Sequence, residues 1–198
     1  MSSAEENGST SGDHGLTVNG DIPTAEDNNT KVKLRSFEGT VFEIGLAAAK
    51  MSVLVKNMLE SLVGDDGQPN YSEPIPLTND GCTDECIKKI IEWCEYHWDD
   101  PPVDEDFDDE KDRRNEELSH WDKNFIDVPD QALLFDIIVA ANYMDIKGLV
   151  EVGAKHICSK IKGKTCAEVR DILKITNDFT EEEESAIHKE NEWIYAKD

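Results

Sequence analysis

Basic residues are scarce in this 198-residue chain: 20 Lys and Arg stand against 44 Asp and Glu, for a net charge of −24. Residues 1–30 contain none of the 20. Binding nucleic-acid phosphates requires clustered Lys and Arg, so the charge argues against DNA and RNA as partners and against anionic membrane surfaces. A basic protein partner stays open, its approach speeded by the field of the chain. Long apolar runs are also missing. None approaches the roughly 18 residues of a membrane-spanning helix, and the N-terminus lacks the basic start and apolar stretch of a secretory signal. Cysteines number five (Cys82, Cys86, Cys94, Cys158, Cys166), an odd count. That suits free thiols in a reducing compartment better than a disulfide scaffold, so cytoplasm and nucleus are the expected locations.

Signatures of catalysis are lacking too. None of the five histidines (His14, His97, His120, His156, His188) accompanies a nucleophile in a recognisable local pattern, and nucleophilic catalysis needs both. Cys82, Cys86, Cys94 and His97 have the residue types of a zinc set. Three of them fall on one predicted helix, where a rise of about 1.5 Å per residue holds Cys86 and Cys94 roughly 12 Å apart. Tetrahedral bonds of about 2.0–2.3 Å cannot gather them, so these thiols read as core. Asp104, Asp106 and Asp108 open like a calcium loop, but Asp109 stands where Gly is needed and Asn115 where Glu is needed. Gly163-Lys164-Thr165 resembles the end of a phosphate loop, yet Cys158 occupies the place of its first glycine. No cofactor and no metal is expected, and the chain reads as a non-enzyme.

What remains is the pattern of a small α/β domain. Residues 1–30, rich in Ser, Asn, Gly and Thr, read as a disordered tail. Val32 and Leu34 alternate with Lys33 and Arg35, and Thr40–Ile44 follows a turn at Phe37–Gly39, which predicts a hairpin. Pro74–Leu77 fits only an edge strand. Short helices are expected at Leu46–Lys50 and after the cap Ser52. A longer one follows Thr83, with Cys86, Ile87, Ile90, Ile91, Cys94 and Trp98 as its stripe, and ends at Pro101-Pro102. Residues 99–112 hold nine acids against one Lys and read as a loop reaching to about residue 117. Trp121 and Phe125 suggest a short amphipathic helix. From Leu133 to Ala141 the chain is apolar around the whole helical circumference, which predicts a central helix buried on all sides. Asp145 is expected to cap the next helix, with Leu149, Val150, Ala154, Ile157 and Ile161 inward and Gly163 ending it. Thr165 with Glu168, and Thr180 with Glu183, each fit a capping box. These last two helices are well started but poorly supplied with apolar residues, the mark of segments that await a partner.

Several stretches resemble one family: Ala49-Lys50 with Ser52 and Met58-Leu-Glu60, Ile91–Cys94, Asp99–Pro102, Trp121-Asp122, Ala140–Leu149, Ile161–Thr165, and Asn177–Thr180 with Glu190-Asn191 and Trp193. In this order they resemble the S-phase kinase-associated proteins, the adaptor subunits that join F-box proteins to a cullin in SCF ubiquitin ligases. The resemblance covers Val32 to Trp193. It implies a BTB/POZ-like fold: a small three-stranded sheet packed on a helical cluster over residues 31–163, with two added C-terminal helices over 164–198. It implies F-box binding by Phe135, Ile138, Val150, Ile157, Ile161, Ile172, Leu173, Phe179 and Trp193. For the first five of these, plain core packing is an equal alternative; Phe179 and Trp193 sit on helices with little core of their own. It implies cullin binding by Met58, Asn142 and Tyr143, although Asn142 also suits a left-handed helix cap. The apolar surface awaiting a partner would let the free protein pair with itself. An acidic chaperone or a self-associating BTB-fold protein without a ligase role is the rival reading. Leu173 and Lys174 stand where the family has Phe and Asn, His188 where it has Arg, and Ile194 where it has Cys.

Overall fold

A computed structural model describes residues 29–62, 70–100 and 117–191. The expected tail up to residue 28, most of the expected acidic loop (101–116) and Trp193 lie outside the described residues.

Strands β1 (Lys31–Arg35) and β2 (Val41–Gly45) pair antiparallel, with Val32 opposite Ile44 and Leu34 opposite Phe42. The turn between them closes where Ser36 N donates to Thr40 O at 2.9 Å, and Gly39 there takes φ +95°, a conformation that favours glycine. Strand β3 (Ile75–Pro76) adds to the other side of β1 in parallel, giving the order β2-β1-β3. A proline at this place has no N–H to offer a further strand. The period-two pattern sends Val32, Leu34, Ile44 and Ile75 to one buried face.

Eight helices follow among the described residues: α1 (Leu46–Ala49), α2 (Val53–Ser61), α3 (Asp84–His97), α4 (His120–Ile126), α5 (Gln131–Tyr143), α6 (Lys147–Ile161), α7 (Cys166–Leu173) and α8 (Glu181–Glu190). Ser52, Thr83, Ser119 and Asp130 cap α2 to α5, each side chain accepting from a backbone amide in the first turn. Asp84, at the start of α3, accepts from Ser36 Oγ (2.5 Å) and Thr40 Oγ1 (2.6 Å), tying the hairpin turn to the helix. These hydrogen bonds hold the Asp84 carboxyl below its ordinary value.

Three expectations need correction. First, α5 is not buried all round. Leu134, Ile137, Ala140 and Ala141 are buried, but Phe135 and Ile138 are half-buried and Val139 is 52% exposed. Second, the core stripe of α6 is Leu149, Val152, Gly153 and His156. Val150, Ile157 and Ile161 stand on its flank, half-buried, and Ala154 is exposed. The core prefers Gly153 because α5 comes so close there that a Cβ on residue 153 would lie 2.5 Å from Ile138 Cγ1. Third, Asp145 does not cap α6. It takes φ +53° in the link after α5, and Ile146 occupies the cap position without a side-chain hydrogen bond.

One buried anchor escaped the sequence pattern. Trp93 on α3 is buried, and its Nε1 donates to Asp122 Oδ1 at 3.1 Å. Asp122, also buried, accepts from Ser119 Oγ at 2.7 Å, and His97 Nε2 lies 3.1 Å from its Oδ1. A buried carboxylate with three partners is satisfied, and it joins α4 to α3.

Candidate protein-docking surfaces

The first surface is a groove of about 210 Å³ between α5, α6 and the end of α7. Four of the residues expected on the F-box side line it together: Phe135 from α5, Ile157 from α6, and Ile172 and Leu173 from α7. Val128 and Pro129, in the link before α5, contribute to the wall. Ile138, Val150 and Ile157 also pack against the core, so for them both readings hold. Phe135, Ile161, Ile172 and Leu173 are half-buried without belonging to that core contact set.

The groove also has two polar rim residues that the sequence reading missed. Gln131 Nε2 donates to Ile172 O, pinning the end of α7 across from α5. Lys160 Nζ lies 3.4 Å from Asp127 Oδ1. Helical spacing could have found both: Gln131 stands four residues before Phe135, and Lys160 three after Ile157, so each shares a helix face with a groove residue. Behind Lys160, His156 is buried with its Nε2 lacking a hydrogen-bond partner among the described residues, 4.0 Å from Asp127 Oδ1. Burial, and then the Lys160 charge, push the His156 pKa below its ordinary 6.5.

Helices α7 and α8 have no buried residue of their own. Each is held at its start by a complete capping box. Thr165 N donates to Glu168 Oε2 at 2.8 Å, and Thr180 N to Glu183 Oε2 at 2.9 Å. Between the two helices, Arg170 bonds Glu184 at 3.1 Å, and its guanidinium lies 5.7 Å from the Phe179 ring centroid. Phe179 is 46% exposed, and Ile187 is 43% exposed. The two helices are shaped and capped, yet the apolar side chains of α7 are no more than half-buried, and Phe179 and Ile187 stay toward solvent.

The second surface lies where α2 begins and α5 ends. Ser52 Oγ donates to Met144 O at 2.5 Å while accepting from Val55 N, so one hydroxyl caps α2 and satisfies the last turn of α5. Leu54 N donates to the same Met144 O at 3.3 Å. The amide end of one helix thus faces the carbonyl end of another, a favourable dipole arrangement. Here Asn142 is exposed, and Tyr143 is half-buried with its hydroxyl 3.2 Å from Thr78 Oγ1. Asn142 is helical, and the left-handed residue is Asp145. Met58, farther along α2, is half-buried against the core. One helix, α5, carries both surfaces: Phe135 and Asn142 are seven residues apart, an axial rise of about 10 Å.

Residues 30–99 match the tetramerisation domain of the Skp1 family, and residues 147–194 match its dimerisation domain. The chain belongs to the Skp1 family. A protein of Arthroderma benhamiae called E3 ubiquitin ligase complex SCF subunit sconC is 46% identical over 169 residues, covering 85% of this chain and 98% of that protein. Two proteins of the same name from Arthroderma otae are 45% and 44% identical, each over 164 residues that cover 83% of this chain and 94% of theirs. The first Skp1-family span contains the sheet and α1 to α3, and the second contains α6 to α8. Helix α5 lies between the two spans. In this member of the Skp1 family it is the piece on which both candidate surfaces meet.

Proposed function

We propose that this protein is the adaptor subunit of an SCF-type E3 ubiquitin ligase, joining F-box substrate receptors to a cullin scaffold so that bound proteins are ubiquitinated and degraded. The unclosed apolar groove between α5, α6 and α7 carries the reading. Its F-box side uses Phe135, Ile138, Val150, Ile157, Ile161, Ile172, Leu173 and Phe179, with Trp193 as a further anchor. Its cullin side uses Asn142 and Tyr143, with Met58 nearby. The family is that of a ligase subunit rather than of a catalyst, and the contribution of the adaptor is geometry. Two partners fixed at opposite ends of one short rigid helix gain effective concentration for each other. Cytoplasm and nucleus are the proposed locations. Residues 164–198 act as the F-box-binding unit on a BTB/POZ-like domain of residues 31–163.

The test is co-purification of the full chain with an F-box domain and a cullin N-terminal segment. A stoichiometric ternary complex is expected. Changing Asn142 and Tyr143 together to Lys should remove the cullin and spare the F-box protein; equal loss of both from a folded protein would refute the two-surface assignment. Self-association is the second reading, favoured by the exposed Val139, Phe179 and Ile187. It would show as a free dimer that an F-box domain dissociates.

A further inference from the structure

A ladder of aromatic rings runs from α4 onto α3 and shares no residue with either docking surface. Phe125 stacks on Trp121 with centroids 5.1 Å apart and planes 8° apart, and Trp121 stacks on Tyr96 at 3.9 Å and 6°. The two ends of the ladder differ. At the inner end Phe125 is buried, and Lys89 Nζ lies 5.0 Å from its ring centroid. At the outer end Tyr96 is 52% exposed, and no cation approaches its ring among the described residues. His97 meets Tyr96 edge-on at 4.9 Å and Trp121 at 5.4 Å. Being nearly equidistant from two rings that are themselves stacked, it sits beside the ladder rather than across its end. Among the described residues, no further ring stacks on the outer face of Tyr96.

The surroundings of that face are anionic. Asp99 and Asp100 follow Tyr96 within the next turn, both exposed, with Asp100 Oδ2 paired to His97 Nδ1 at 2.5 Å; Glu92, one helical turn before, is exposed and bonds Lys89 Nζ at 2.9 Å. A ring face held flat by a stacked indole, followed in the chain by the exposed Asp99 and Asp100 and carried by a protein of net charge −24, is complementary to a planar cation. The ring quadrupole and the acids attract the same charge, and a guanidinium can also stack. We propose that the outer face of Tyr96 is a docking point for an arginine presented by a basic segment of a partner protein. The net charge of −24 would speed the encounter, and Tyr96 would select arginine over lysine at contact. Nothing in this site draws on the F-box or cullin surfaces.

The full chain, labelled with nitrogen-15, is titrated with hexa-arginine and with hexa-lysine at 0.1 M salt, alongside Tyr96→Ala and Tyr96→Phe. Both substitutions keep every charge, and a half-exposed ring can be lost without unfolding, which circular dichroism verifies. The wild type should bind hexa-arginine more tightly than hexa-lysine, with shifts centred on Tyr96 and the Trp121 indole. Tyr96→Ala should weaken hexa-arginine binding about two- to fivefold and abolish the preference, while Tyr96→Phe keeps it. Equal affinity of Tyr96→Ala and wild type, or equal affinity for the two peptides, would show charge attraction alone and overturn the proposal.

Discussion

Replacing Gly153 with Ala tests the close approach of α5 and α6, on which the shape of the proposed F-box groove depends. In an ordinary helix interior the change stabilises by about 0.8–1 kcal/mol, because Ala loses less backbone freedom than Gly. Here the added Cβ would sit 2.5 Å from Ile138 Cγ1 and 2.8 Å from Ile138 Cδ1. Neither distance is tolerable, so Ile138 or a helix must move, and overpacking of this kind costs about 1–3 kcal/mol. The two effects oppose each other, and the clash should win, leaving Gly153→Ala neutral to destabilised by about 2 kcal/mol. The decisive measurement is a double-mutant cycle with Ile138→Ala, which removes both colliding atoms. In that background Gly153→Ala should regain its full helix-forming benefit. The difference between the two backgrounds, read from urea unfolding followed by circular dichroism, should be about 1–3 kcal/mol. If Gly153→Ala stabilises both backgrounds by the same amount, the helices are not in contact at this glycine. Because Ile138 stands on the proposed F-box face, Gly153→Ala should also weaken F-box binding while leaving the cullin bound.

Three further outcomes rest on other parts of the molecule. His156 has its pKa pushed below 6.5 by burial, so the folded state holds fewer protons there than the unfolded state. Its contribution is intact above pH 6.5 and is lost as pH falls below that value. Urea midpoints from pH 7.5 to 5.5 should therefore decline, and His156→Leu should flatten the decline; an unchanged slope would remove His156 as a cause. Burial raises the thiol of Cys82 to about 11 and those of Cys86 and Cys94 to about 12, whereas Cys158 and Cys166 are exposed. A disulfide reagent at pH 8 should modify two thiols quickly in the native protein and all five in denaturant; three fast thiols would contradict the packing around α3. Finally, α8 buries nothing, so its capping box should dominate its local stability. Thr180→Ala should lower amide protection in α8 by about 1 kcal/mol with no change in the global urea midpoint. A shifted midpoint would mean that α8 is part of the cooperative core.

The features legible in the sequence are those decided within a few residues. The hairpin follows from strict alternation at Val32, Leu34, Phe42 and Ile44, and the two capping boxes follow from Thr and Glu three positions apart. These signals need no knowledge of what lies across the fold. Lys174 shows how local chemistry can also be overridden. It takes φ +53° at the end of α7, a place that suits Gly or Asn better, and Ile175 N still reaches Arg170 O at 2.9 Å to finish the helix. Trp93 was hidden because its partner Asp122, 29 positions away, looks like a surface residue.

The errors concentrate on α5 and α6, and they share one cause. A hydrophobic pattern records every surface that is ever buried, whether by the chain itself or by another protein. On α5, Leu134 and Ile137 serve the chain, while Phe135 is only half-buried and Val139 is exposed. The helix therefore looked like one buried on all sides. On α6 the confusion ran the other way. The true core stripe includes Gly153 and His156, which score as poor core residues, whereas the more apolar Val150, Ile157 and Ile161 stand on the flank. The glycine lets two helices meet, and the larger residues on the flank, of which Val150 and Ile157 also touch the core, belong to the face proposed for the F-box protein. The mismatch between hydrophobicity and burial is therefore the most direct physical mark of the proposed docking surface. It separates the groove of Phe135, Ile157, Ile172 and Leu173 from the core beneath it, a distinction that apolar periodicity alone could not make.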